Sequence, residues 1–297
     1  AGAGDVVDVA AGTYAGEQFP LLVPAGVTLR GAGASQVTID AGGRIAIVLG
    51  GSRAALEGVT VVGGAPGYMM IPPTCVTSSG ADELTVRDCL VESIGIAGGR
   101  GHVITGNVVA GGKVWLMGAS ECEVAANFQH GLRWGAGIEI QGGEGHVVHD
   151  NECRDDLGAI KLIETRGARV ERNRYETRWF GIHVLQSADT ALTRNRAWHT
   201  MRAVDIEGGR GTSVEKQLAE HCDSGVVVEG GARETSVADS WFHDCRVGLY
   251  VWGADAPAFT ANAISAPRDH AAIADRPLDL AGDNELGGDV WVRPPGP

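Results

Sequence analysis

The recurrence of one amide side chain every 22 residues constrains this chain more than any other feature. Asn151, Asn173 and Asn195 stand 22 residues apart, and Gln217 continues the series. Ser240, Asn262 and Asn284 follow at steps of 23, 22 and 22, while Asn107 and Asn127 extend it backwards with steps of 20 and 24. The same grammar returns around each: a short alternating run, the Asn, a few polar residues, a small residue, a second alternating run. Residues 168–189 (ARVERNRYETRWFGIHVLQSAD) and 190–211 (TALTRNRAWHTMRAVDIEGGRG) show it most clearly. Repeats of this length, rich in Gly and β-branched residues, build solenoids in which each unit buries its apolar side only against its neighbours.

One coil can be read residue by residue. Ala168 to Arg172 alternates as a strand does. Asn173 ends it, because Asn tolerates the left-handed conformation that a tight corner needs, and its amide can bond the Asn of the next coil. Arg174-Tyr175-Glu176 is a second strand, residues 177–180 a loop, and residues 181–185 a third strand before the corner at 187–189. The expected fold is therefore all-β: a single-stranded, right-handed parallel β-helix with three strands and about 22 residues per coil. Right-handed coiling is expected because parallel crossovers almost always turn that way. Residues 212–225 resemble a helix in composition, but their register makes them another turn. Residues 1–297 read as a single β-helix domain, in which 1–30 form the first coil or cap, 63–73 a loop insertion and 293–297 a tail.

At this point the chain resembles the pectin-lyase-like superfamily of right-handed β-helices, which holds pectate lyases, polygalacturonases and alginate epimerases. The opening Gly4 to Tyr14, followed by Val23-Pro24-Ala25-Gly26-Val27-Thr28-Leu29-Arg30-Gly31, is similar to the first coil of such proteins. The similarity extends to about Val292. The Asp-Pro-His tripeptide of the alginate epimerases is absent from the sequence. The resemblance implies an active groove on the third strand and the loop before it, and a carbohydrate substrate.

Aligned repeats supply residues for that groove. The third strand reads small–apolar–X–apolar, with X pointing outward. X is Glu139, Lys161, His183, Asp205, Val227 and Tyr250 in successive coils, preceded by Trp115. A cation, an imidazole and two carboxylates thus stack at ~4.8 Å per coil. His183 is the candidate base, since Lys161 and Asp205 pull its pKa in opposite directions. Lys161 is an electrostatic stabiliser or second base; Asp205 and Glu139 are orienting or proton-donating carboxylates. The preceding loop adds candidate binding residues: Arg133, Trp134, Asp155, Asp156, Arg178, Trp179, His199 and Arg202, with Tyr250 closing the column. Arg178 suits an anionic group. This set fits proton transfer beside a carboxylate, hence a lyase or epimerase of a uronate-type carbohydrate. The alternatives are an isomerase or cyclase of a small metabolite, a glycoside hydrolase, and a non-catalytic carbohydrate-binding or surface protein. An outward column of alternating charge can equally be a solvated surface.

The net charge of −13 makes the chain a poor partner for nucleic acid. Residues 131–216 hold equal numbers of acidic and basic side chains, which is compatible with an anionic ligand there. No run of 18 apolar residues suggests a membrane span. The expected partner is a carbohydrate or small-molecule substrate, with no cofactor and no metal; the oligomeric state stays open. No charged-then-apolar leader is present and the chain begins at Ala1, so it is expected outside the cell if a leader has been removed and in the cytoplasm otherwise. Six cysteines show no CxxC spacing and so no zinc pattern. Cys222 and Cys245 hold equivalent places in successive coils; a disulfide is geometrically open to them, and buried free thiols are the favoured reading.

Overall fold

A computed structural model describes residues 1–16, 18–64, 75–255, 257–280 and 283–293. It divides into two compact units: Ala1–Arg133 with Gly137–Glu152, and Trp134–Ala136 with Cys153 onward. Most of the expected insertion at 63–73, and nearly all of the expected tail, lie outside the described residues.

In the first unit the strands Val6–Val9, Gly12–Ala15 and Leu21–Val23 make the opening coil, and Thr28–Gly31 starts the next by pairing in parallel with Val6–Val9. Coil lengths vary here: Thr85 pairs with Val103, Val103 with Glu123 and Glu123 with Val147. Asn107 Nδ2 donates to Asn127 Oδ1 at 2.9 Å, and Asn127 Nδ2 to Asn151 Oδ1 at 3.0 Å. The corner amides thus bond from coil to coil despite unequal spacing.

The second unit is more regular. Arg169 pairs with Ala191, Ala191 with Ser213, Ser213 with Ser236 and Ser236 with Ala258, all in parallel. Residues 212–225 contribute the strands Ser213–Glu215 and Leu218–Glu220 and the start of Ser224–Glu229, as the repeat register requires. The core is filled one layer per coil: Val170, Leu192, Val214, Val237 and Phe259 under the first sheet, and Ile182, Val204, Val226 and Leu249 under the third, each essentially buried. Burial of such side chains contributes roughly 1.5–3 kcal/mol apiece, so the stack of layers is the main source of stability.

The expected loop at 177–180 is not a loop. Strands Glu152–Ile163 and Arg174–Leu185 each run 12 residues, merging the second and third strands of their coils. Thr177 sits inside the merged strand, and its buried hydroxyl donates to the Phe180 carbonyl at 2.9 Å, satisfying a group that a corner would leave to solvent. Two glycines make room for the aromatic packing: a Cβ on Gly158 would overlap the Phe180 ring, and one on Gly181 the Tyr175 ring.

Asn195 ties three groups together. Its Oδ1 accepts from the Asn173 backbone N–H and from Asn173 Nδ2, both at 3.0 Å, and its Nδ2 donates to the Val170 carbonyl at 2.9 Å. Gln217, the odd member of the series, reaches the Tyr175 hydroxyl at 2.9 Å. Asn195→Ala strands three buried polar groups of the preceding coil, so a loss of about 2–4 kcal/mol is expected in urea unfolding. An unchanged midpoint and slope would show these bonds to be dispensable.

All six cysteines are free and buried. Burial pushes the Cys89 thiol up to about 12 and the Cys122 thiol to about 11.

Candidate functional site

The outward row of the third sheet in the second unit is in register as the repeats imply. His183 pairs with Asp205, Asp205 with Val227 and Val227 with Tyr250. A second outward row lies two residues on: Leu185, Glu207, Glu229 and Trp252 pair in turn. Strand alternation turns both rows to the same face.

His183 sits low in this face, its side chain 12% exposed. The Phe180 ring meets it edge-on at 5.4 Å between centroids. Its Nε2 lies 3.3 Å from Glu207 Oε2. An ionised carboxylate only accepts, so Nε2 carries the proton and Nδ1 is the bare, basic nitrogen. Among the described residues Nδ1 has no hydrogen-bond partner. Burial lowers the pKa of His183 and the Lys161 ammonium lowers it further, outweighing Asp205 and Glu207. The imidazole is therefore neutral at pH 7 and free to take a proton.

Lys161 is half-buried and makes no ion pair or hydrogen bond among the described residues. Its charge acts on the nearby His183 imidazole.

Asp205 is set deeper than the sequence suggested. Its side chain is 7% exposed; Oδ2 accepts from Arg202 Nη1 at 2.8 Å, and Oδ1 is buried without a hydrogen-bond partner. Burial raises its pKa and outweighs the opposing pull of Arg202. Arg202 Nη1 also bonds Glu229 Oε1 at 2.8 Å, so one guanidinium nitrogen holds two carboxylates. Asp205 can orient its neighbours but offers little surface to a ligand. The accessible carboxylates are Glu207 and Glu229, with side chains 44% and 27% exposed.

The other expected residues divide. Arg178 is exposed and unpaired among the described residues, and Trp179 beside it is 48% exposed. His199 is exposed at a corner and stacks on His221 at 5.2 Å. Asp155 is exposed with a positive φ of 56°, whereas Asp156 is fully buried. Asp156 is therefore not a surface ligand; the exposed–exposed–buried run of Arg154, Asp155 and Asp156 departs from simple alternation where Asp155 is left-handed. Trp134 is 82% exposed. Arg133 and Glu139 belong to the first unit, where Glu139 is in register with Trp115 and pairs with Lys113 Nζ at 2.8 Å. Glu139 is thus one half of an ion pair rather than an unattached acid. Among the described residues no three His, Cys, Asp or Glu side chains gather as metal ligands, and no helix is long and apolar enough to cross a membrane.

Glu207 and Glu229 are accessible carboxylates that the X column does not contain. Their signal was the position two residues after X, which the alternation places on the same face.

Comparison with known proteins assigns the class. A family described as "Right handed beta helix region" matches residues 119–264, just under half of the chain, in keeping with the parallel β-helix of the fold. It belongs to the family described as "Protein of unknown function (DUF1565)", which matches residues 1–189. No curated protein matches the sequence. Among solved structures, the Streptococcus pneumoniae surface protein and adhesin PfbA is similar with a TM-score of 0.69 at 8% identity, over 97% of this chain and 91% of that one. DFA-IIIase from Arthrobacter chlorophenolicus A6 gives 0.64 at 12%, over 97% and 87%. A GH87 alpha-1,3-glucanase from Streptomyces thermodiastaticus gives 0.61 at 13%, over 97% and 63%. At these identities the likeness is one of fold.

Proposed function

We propose that the second unit is the catalytic part of a carbohydrate-active enzyme that moves a proton beside a uronate carboxylate, with a lyase or epimerase outcome. The observation that carries this reading is the neutral His183, with Nε2 tied to Glu207 and Nδ1 bare, next to the unpaired Lys161. Lys161 binds the sugar carboxylate and stabilises the enolate that forms when His183 takes the neighbouring C–H proton. For elimination, the electron pair left by that proton becomes a C=C bond as the C–O bond to the next sugar breaks. The departing oxygen takes a proton in turn. For epimerisation the carbon is reprotonated from the opposite side. Arg178 and Trp179 supply an anion contact and a ring surface at the edge. Carbohydrate-active β-helix enzymes among the structural neighbours support the substrate class.

A second reading, glycoside hydrolysis, is favoured by one observation. Glu207 and Glu229 are in register on adjacent strands and partly exposed, so two carboxylates stand on one face, as a glycosidase pair requires.

Assay of uronate-containing polymers separates the readings. Elimination gives new ultraviolet absorbance from unsaturated sugar ends; epimerisation in deuterated water gives carbon-bound deuterium; hydrolysis gives reducing ends with neither. Lys161→Met is expected to lower kcat by about 10²-fold, the loss typical of one oxyanion-stabilising group. Full activity in that variant, or products of hydrolysis alone, refutes the proton-transfer reading.

A further inference from the structure

The outward face of the second unit changes sign along its length, and that order constrains the glycan more than any single residue does. At one end stands the unpaired Lys161. In the middle lie three carboxylates, Asp205, Glu207 and Glu229, against the single guanidinium of Arg202, since the neutral His183 adds no charge. At the far end the Tyr250 and Trp252 rings stack at 6.1 Å with planes 15° apart, and the Arg293 guanidinium lies 5.3 Å from the Trp252 ring centre. Arg293 has no carboxylate partner among the described residues. The nearest acid in sequence, Asp289, meets the His270 ring at 3.0 Å, and Asp275, one residue beyond Ala274 on the intervening strand, accepts from the Gly253 N–H at 2.9 Å and lies 3.6 Å from Arg276. Lys161 and Trp252 are four coils apart, about 19 Å along the axis.

We infer that the ligand of this face is a heteroglycan lying along the coil axis, with uronates separated by uncharged sugars, and that Trp252 and Arg293 form a distal subsite for one of those uronates. This rests on the reading that the second unit acts on an acidic glycan. A small metabolite at Lys161 and His183 cannot reach a cation about four coils away. A homopolymer of uronates reaches it, but must lay several carboxylates over Asp205, Glu207 and Glu229, where like charges repel. Uncharged sugars over the carboxylates avoid that cost, with their hydroxyls donating to Glu207 and Glu229. At the far end a sugar ring packs beside Tyr250 and Trp252, and its carboxylate pairs with Arg293.

The test measures binding by calorimetry in the His183→Ala protein, so that turnover does not interfere. The probes are deacylated gellan fragments (uronate among neutral sugars), polygalacturonate fragments (uronate throughout) and laminarin fragments (no uronate). Gellan fragments are expected to bind at least about tenfold more tightly than either other probe. Arg293→Gln is expected to weaken gellan binding about tenfold, as for loss of one charge-assisted contact, and the Glu207→Gln, Glu229→Gln double variant to narrow the gap to polygalacturonate. Polygalacturonate binding as tightly as gellan, an Arg293→Gln protein of unchanged affinity, or no binding by any probe each overturns the inference. Full turnover in the His183→Ala protein refutes the proton-transfer reading instead and leaves these affinities to judge the glycan type.

Discussion

Loss of about 10²–10⁴-fold in kcat/KM is expected for His183→Ala, with little change in melting temperature, because a positioned general base contributes that much and no other described side chain presents a bare basic nitrogen beside Lys161. The pH profile adds a sharper readout. Burial holds the His183 pKa below its usual 6.5, so the base stays deprotonated further into acid than a free imidazole. The acidic limb of kcat/KM is therefore expected below pH 6.5. Linkage gives stability the same sign: a depressed folded pKa stabilises the fold above the unfolded value, and that contribution fades as pH falls through the folded one. A His183→Ala protein that keeps full turnover, or an acidic limb well above pH 6.5, refutes the assignment of His183 as base.

Arg202→Met is expected to be the most destabilising single change on this face. It removes the partner of Asp205 and of Glu229 together, leaving a carboxylate whose side chain is 7% exposed. Breaking a buried pair from one side costs about 3–5 kcal/mol, and the low end applies because the Arg202 side chain is 31% exposed. Here too pH supplies a signature. Burial already raises the Asp205 pKa above 3.8, and loss of the guanidinium raises it further. A raised carboxyl stabilises the fold below the unfolded pKa and loses that contribution as pH rises through the folded value. The deficit of Arg202→Met should thus be smallest in acid and grow toward neutrality, and Asp205→Asn in the same background should recover part of it. Parallel unfolding curves for the variant and the original protein from acid to neutral pH would show that the clamp carries no load.

The coil spacing made the His183–Asp205 adjacency legible, since 22 residues bring equivalent positions into register on neighbouring strands. The same arithmetic placed the core layers and the corner amides. What it could not show were contacts made by leaning side chains. His183 meets Glu207, which is one coil on and two residues along, so counting down a column misses it. Lys113 reaches Glu139 from the preceding strand in the same diagonal way. The merged strands escaped for another reason. Thr177, Arg178 and Trp179 look like a polar loop by composition, yet they lie within the strand Arg174–Leu185, beside the space that Gly158 and Gly181 leave for the Phe180 and Tyr175 rings.

His183 is carried on the strand Arg174–Leu185, whereas Glu152–Ile163 bends where Asp155 takes a positive φ of 56°. Gated enzymes wait on a door, and its swing often limits their pace. His183 is held instead by a strand in register with its neighbour, where it faces Asp205. On the proposed reading a glycan meets a base carried on a paired strand, and the tempo of turnover is expected to fall to the bond-making step or to product departure.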